Sequence, residues 1–170
     1  MTYPLDPDFG PIEDLLLGVF NRFFATVPGV VIAPEFYEGM QVPAVIGRAD
    51  RRSGTAAFHS NTDDRFLKAT VISVSAICDG PDADREASDL IEACRLALRQ
   101  AQMEQWVIPG AGHIALIDNS TPATRVTDWA TSTGVVQYAS LPQGMVRYEA
   151  IFRLLVRPPV GGTDNPFLPR

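Results

Sequence analysis

The chain has 170 residues, of which 46% are hydrophobic and 20% charged, a composition that is ordinary for one globular domain and excludes a largely disordered chain. Its 14 basic and 20 acidic residues give a formal net charge of −6, which argues against a protein that clamps nucleic acid with a basic face. Two cysteines are too few for an oxidised secreted scaffold of this size. The first ten residues lack the basic and apolar regions of a signal peptide, so we expect the protein to stay where it is made.

The first predicted element is an amphipathic helix over residues 11–24. Its apolar positions recur three and four residues apart and so form one face of a helix. They are Ile12, Leu15, Leu16, Val19, Phe20 and Phe23. Pro11 suits the first helical turn, and the Pro28-Gly29 pair ends the helix. Two short strands are predicted next: residues 30–33, which we expect to be buried on both faces, and residues 43–47.

Residues 48–64 are predicted to form a long polar loop with a basic spot at Arg51 and Arg52. Loops of more than about 12–15 residues are usually functional or disordered. The clearest strand follows over residues 65–78. One of its faces is apolar, whereas the other carries the small polar residues Ser73 and Ser75. We therefore expect that second face to be half-exposed or to meet a neighbour.

A second helix is predicted over residues 82–103, with Asp82 or Asp84 as its cap. Its predicted core stripe is Ala87, Leu90, Ile91, Cys94, Leu98 and Ala101. After a glycine-rich turn, we expect a short strand at residues 114–117 and then a polar stretch at residues 118–133, which contains Trp129. A further short strand is predicted at residues 135–138.

The last predicted strand, residues 146–156, alternates between two kinds of side chain. Its apolar face consists of Val146, Tyr148, Ala150, Phe152, Leu154 and Val156. The opposite face carries Arg147, Glu149 and Arg153, and this alternation predicts a wet or interfacial strand face.

The order of these elements predicts an α+β fold in which two helices pack on an antiparallel or mixed β-sheet. We expect residues 1–157 to form a single domain. The Pro158-Pro159 pair ends the last strand, and residues 158–170 are predicted to be a flexible C-terminal arm, since a segment so rich in Gly and Pro cannot build a core.

The sequence predicts no catalytic, cofactor-binding or metal site. His59 lies near Asp63 and Asp64, but no second His or Cys stands at a ligand spacing from it. His113 is expected to begin a strand. The two cysteines are not in a Cys-x-x-Cys motif, and we expect them to be buried, with a bridge between them left open.

Trp106 and Trp129 suit either an interface or a cover over the core edge.

Three segments carry a resemblance to a known family. Residues 42–47 are a Pro-led strand, Val-Pro-Ala-Val-Ile-Gly, and residues 82–95 read Asp-x-Asp-Arg-Glu-Ala-x-x-Leu-x-x-Ala-x-Arg. The closing strand ends on Phe-Arg-Leu-Leu-Val-Arg-Pro at residues 152–158. In this order, after an amphipathic first helix, they resemble the tail terminator (tail completion) proteins of long-tailed bacteriophages.

This resemblance implies a structural virion protein without catalytic residues. Proteins of this family form a ring, typically of six copies, at the head-proximal end of the tail tube, where they stop tube polymerisation. The implied partners are further copies of the chain, the major tail tube protein and the head–tail connector (stopper) protein. DNA passes through the lumen without specific binding, and no membrane is involved. The implied location is the virion, after assembly in the host cytoplasm.

The ring implied by the resemblance gives six residues an interface role. They are Arg51, Arg52, Trp129, Arg147, Glu149 and Arg153. The acidic balance of the chain suits a channel that DNA must traverse without being held. Three alternatives stay open: another phage neck or tail-tube component, a host adaptor or assembly chaperone that leaves the finished particle, and a small α+β enzyme or ligand-binding protein. The last of these would use Arg51, Arg52, His59 and Asp63 around the long loop.

Overall fold

The two helices lie where the apolar periodicity predicts them. A computed structural model describes residues 10–49, 67–126 and 144–159. In it α1 is Ile12–Phe23, followed by a short 3-10 helix at Phe24–Thr26, and α2 is Ala83–Met103. Pro11 and Asp82 occupy the N-cap positions, but neither side chain makes a capping hydrogen bond. All six predicted core positions of α2 are buried.

Five strands form one mixed sheet in the described part of the chain. They are β1 Val31–Ala33, β2 Ala44–Ala49, β3 Lys68–Cys78, β4 His113–Val126 and β5 Val146–Arg157. Their order across the sheet is β1-β2-β3-β5-β4. Only β1 and β2 run parallel, whereas the other three pairings are antiparallel. The α+β prediction, with two helices on a mixed sheet, is confirmed.

Both helices pack against the same face of this sheet and bury one apolar cluster there. Helix α1 contacts β2, and α2 crosses β3, β4 and β5. Gly47 allows the approach of α1, because a Cβ there would lie 3.2 Å from side-chain atoms of Leu16 and Phe20. The β5 residues Phe152, Leu154 and Val156 belong to this cluster, which confirms the predicted apolar face of the last strand.

The structure corrects three predictions about strands. Residues 118–126, predicted to be part of a polar stretch, belong to β4. Its alternation is obscured by three register shifts and by Pro122, which is tolerated because β4 is an edge strand. Arg48 and Ala49 lie in β2 and not in the loop. Strand β1 is an edge strand of intermediate burial, so the prediction that it is buried on both faces is wrong.

The two cysteines are free and buried, so the bridge that the sequence left open is absent. Burial raises the pKa of the Cys78 thiol to about 11, and the nearby carboxylates of Glu86 and Asp79 contribute to the same shift. Burial alone raises the pKa of Cys94. Both thiols are therefore protonated at neutral pH and poorly suited to act as nucleophiles.

Candidate functional site

The candidate functional site is the sheet face opposite the two helices, here called the outer sheet face. On β5 it carries Arg147, Glu149, Ile151, Arg153 and Leu155, because these residues alternate with the buried core residues of the strand. The paired strands supply its other members through their register. Two regions of this face differ sharply in burial and in chemistry.

The first region is a buried polar cluster, defined here as Ser73, Ser75, Arg147 and Glu149. The Ser73 hydroxyl donates a hydrogen bond of 2.6 Å to Glu149 Oε1. Arg147 donates from Nη2 to Glu149 Oε2 over 3.1 Å and from Nε to the Ser75 hydroxyl over 3.3 Å. Each carboxylate oxygen of Glu149 thus has a donor of its own.

Strand register explains why these four side chains meet. Ser75 stands directly opposite Glu149 in the β3–β5 pairing, and Ile77 stands opposite Arg147. Ser73 and Ser75 therefore lie on the same face as the ion pair, one diagonal step along the strand from Glu149 and Arg147 respectively. The serines are short enough to leave room for the longer charged side chains.

The prediction of a wet, that is solvent-exposed, strand face is wrong at Arg147 and Glu149. Their exposed fractions are 2% and 1%, so the chain itself removes both side chains from water. Taking two charges out of water is costly unless they pair well and use their remaining hydrogen-bonding capacity. The geometry meets that requirement, and neither residue is available to contact another chain without rearrangement. Chemically, the cluster fixes the β3–β5 register and offers no accessible nucleophile.

The second region is half-exposed and mainly apolar, and is here called the outer patch. Its apolar members are Ala69, Val71, Leu116, Ile151 and Leu155, all of them only partly buried or exposed. Leu116 is 44% exposed, although it stands directly opposite Leu155. Partly exposed apolar side chains grouped on one sheet face are typical of a surface that contacts another protein.

Arg153 stands in the middle of the outer patch. Its register partners are Val71 on β3 and Asp118 on β4. The side chain is exposed, and no described carboxylate lies within ion-pair distance of its guanidinium group. Arg153 is thus solvated, as expected for that position of the strand, and its role in an interface stays a prediction. Asp118 was missed as a site residue because the continuation of β4 beyond residue 117 was not recognised. Leu116 lies in the predicted strand 114–117, but a register shift after Ile114 places it on the outer face.

Three predicted interface residues, Arg51, Arg52 and Trp129, lie outside the described residues. The same is true of His59, Asp63 and Asp64, which were considered as a metal or ligand site. The part of the chain that the structure describes contains no group of three or more His, Cys, Asp or Glu side chains arranged to hold a metal ion.

Trp106 closes the edge of the core between the ends of the two helices. It is buried, its indole nitrogen donates to Glu104 Oε2 over 2.7 Å, and Arg22 of α1 lies 4.2 Å above the ring. Hydrogen bonds from Gln100 and Trp106 lower the pKa of Glu104, and the nearby Arg22 adds to this effect. Of the two interpretations of Trp106, these contacts favour the cover over the core edge.

His113 begins β4, as predicted, and stands opposite Arg157. Its Nδ1 is a buried atom that has no hydrogen-bond partner among the described residues. Burial lowers the pKa of His113, and the positive charge of Arg157 lowers it further.

None of the helices in the described ranges is both long enough and apolar enough to cross a bilayer. Comparisons with protein-family models and with curated proteins gave no match for this chain.

Proposed function

We propose that this chain is a structural protein of a phage virion that terminates the tail tube. It forms a ring, typically of six copies, at the head-proximal end of the tube, stops its polymerisation and joins the tail to the head connector. The sequence resemblance at residues 42–47, 82–95 and 152–158 suggests this role. An α+β domain with two helices on one face of a mixed sheet is compatible with it.

The observation that carries the proposal is the outer patch. Both helices pack on the other side of the sheet, so they leave Val71, Leu116 and Leu155 partly in contact with water. Apolar side chains grouped on an exposed sheet face can pack against another chain, and a ring subunit needs such a surface for each neighbour. The exposed Arg153 at its centre gives that surface a charged group with which to select a partner.

The acidic net charge of the chain supports the proposal that DNA passes through the lumen of the ring. Six copies would carry a formal charge of −36, six times the −6 of one chain. A lumen of that sign repels phosphate groups, so DNA can move through the ring without being retained.

Tail length in phage particles tests the proposal. A phage that lacks this gene is complemented with the wild-type chain or with the variant Arg153→Glu, and tails are measured by electron microscopy. We expect overlong tubes without the gene, normal tails with the wild-type chain, and overlong or headless tails with Arg153→Glu. The matched control is Arg99→Glu, which makes the same charge change at an exposed residue of α2. Tails of normal length in the absence of the gene would refute termination.

The composition of purified virions separates the remaining alternatives. A terminator stays in the particle at the joint between head and tail, so the chain should be detected there at a fixed stoichiometry. A host adaptor or assembly chaperone would be absent from finished particles. Labelling along the whole tube would identify a tube component instead.

A further inference from the structure

The two ends of the sheet carry opposite charges. At one end, where β3 leads into α2, four exposed acidic residues lie close together in sequence: Asp79, Asp82, Asp84 and Glu86. Arg125 reaches Asp84 over 3.0 Å, and the Tyr148 hydroxyl also approaches that carboxylate. Asp79, Asp82 and Glu86 have no ion pair with a described residue. This acidic end also presents the exposed ring of Pro81.

The other end of the sheet is basic where the outer patch lies. Arg153 and Arg157 are both exposed on the outer face of β5, and neither forms an ion pair within the described residues. The carboxylate of Asp118 opposes Arg153 in the register and offsets part of this charge. This region therefore has two guanidinium groups and one carboxylate, so its local charge is positive, whereas the formal net charge of the chain is −6.

The distance between these ends prevents them from neutralising each other within one chain. Arg153 stands opposite Val71, seven residues before β3 ends at Cys78, which corresponds to about 23 Å at about 3.3 Å per residue. Exposed charges are screened beyond roughly 8–10 Å at physiological ionic strength. The two surfaces are therefore complementary between copies and not within a copy.

We infer that the outer patch of one copy binds the acidic end of the next copy. The inference rests on the proposed ring and names the surfaces that form its subunit contact. Arg153 and Arg157 face the carboxylates of Asp79, Asp82 and Glu86, while Leu116 and Leu155 cover Pro81. Because the two surfaces are different and lie at opposite ends, the contact is head-to-tail, which closes into a ring when the rotation between neighbours allows.

Two single variants and their mixture test this contact. Arg153→Glu destroys the basic surface but keeps the acidic one, and Glu86→Arg does the reverse. In sedimentation velocity at low salt, we expect each variant alone to associate at least about tenfold more weakly than the wild-type chain. Their equimolar mixture should regain association, because both contacts between the two variants join opposite charges: the intact basic surface meets the intact acidic end, and the two reversed surfaces meet each other.

Matched controls keep this test specific. Arg99→Glu and Glu38→Arg make the same charge changes at exposed residues that lie outside both surfaces, and we expect both to associate like the wild-type chain. Circular dichroism verifies the fold of every variant. A monomeric wild-type chain, a mixture that stays monomeric, or Arg153→Glu with wild-type association would each overturn the inferred contact. The tail-length experiment is independent of this result, so termination can hold even if these surfaces are not the ones that meet.

Discussion

Arg147 and Arg153 lie on the same face of β5, yet one is among the most deeply buried side chains and the other is exposed. The difference comes from the neighbouring strand. Next to Arg147, β3 provides the hydroxyl of Ser75 within hydrogen-bond distance. Arg153 stands between Val71 on β3 and Asp118 on β4, and within the described residues it forms no ion pair with that carboxylate. A charged residue in an alternating strand is thus buried or solvated according to its cross-strand partners, and an unpaired one remains available to another chain.

The largest expected effect is the loss of the buried ion pair. Arg147→Ala leaves the Glu149 carboxylate buried without its guanidinium partner, so we expect the free energy of unfolding to fall by about 3–5 kcal/mol. Urea denaturation measures this change, with Arg153→Ala as a control of the same residue type on the same strand face. A loss of less than about 1 kcal/mol would show that Arg147 and Glu149 are solvated, and the contrast between the two arginines would disappear.

Replacing both partners of this ion pair tests whether the unpaired charge, and not lost packing, destabilises Arg147→Ala. In the double variant Arg147→Met and Glu149→Leu, no charge is left buried, so we expect a much smaller loss than for Arg147→Ala, despite two changes in place of one. If the double variant were as unstable as the single one, packing and not the unpaired charge would dominate at this position.

A smaller effect is expected from the hydroxyl that completes the polar cluster. Ser73→Ala removes the donor to Glu149 Oε1 and should lower the free energy of unfolding by about 1–3 kcal/mol, because the buried carboxylate oxygen loses a hydrogen bond. Thr124→Ala is the control, since Thr124 stands opposite Glu149 on the other side but is exposed. Equal stability of Ser73→Ala and the wild-type chain would contradict the role assigned to this hydroxyl.

These examples show which parts of the fold the sequence can predict. Helix α2 and the apolar face of β5 follow from local periodicity, because each buries a long, regular stripe of side chains. The polar cluster does not follow from it. Its partners on β3 and β5 are separated by 72 and 76 residues in the chain, and only the strand register brings them together. Local alternation alone made Arg147 and Glu149 look solvated.

The same reasoning accounts for the missed half of β4. Its register shifts around residues 115–124 break the two-residue period, and Pro122 argues against a central strand. An edge strand forms ladder hydrogen bonds on one side only, so β4 tolerates both the register shifts and Pro122. The outer patch could therefore not be predicted in full. Asp118 lies in the part of β4 that was not predicted, and Leu116, although within the predicted strand 114–117, stands opposite Leu155 only because of a register shift.

The exposed region of the outer sheet face also borders the imidazole of His113, which stands opposite Arg157. Burial and Arg157 lower the pKa of His113 in the folded chain, whereas the unfolded chain has the ordinary value of about 6.5. The unfolded state therefore binds more protons as the pH falls below about 6.5. The stabilisation from neutral His113 is complete above that value and is lost as the pH falls through the folded pKa.

His113→Gln removes this dependence. We expect the urea midpoint of the wild-type chain to decrease more than that of the variant between about pH 7.5 and about pH 5.5. The comparison between the two chains cancels the contribution of the carboxylates, which titrate in both. An identical decrease in the two midpoints would mean that His113 is fully solvated in the folded state.

The smallest expected effect on stability belongs to Arg153, and it completes the comparison with Arg147. Because Arg153 is exposed and has no described ion pair, Arg153→Glu should change the free energy of unfolding by no more than about 0.5 kcal/mol. Urea denaturation at a concentration where the chain is monomeric measures this value. The same variant should impair tail assembly, so assembly and stability respond to different arginines on one strand face. A loss as large as that of Arg147→Ala would show that Arg153 has a partner within its own chain, and the outer patch would then have no free charge with which to select a neighbour.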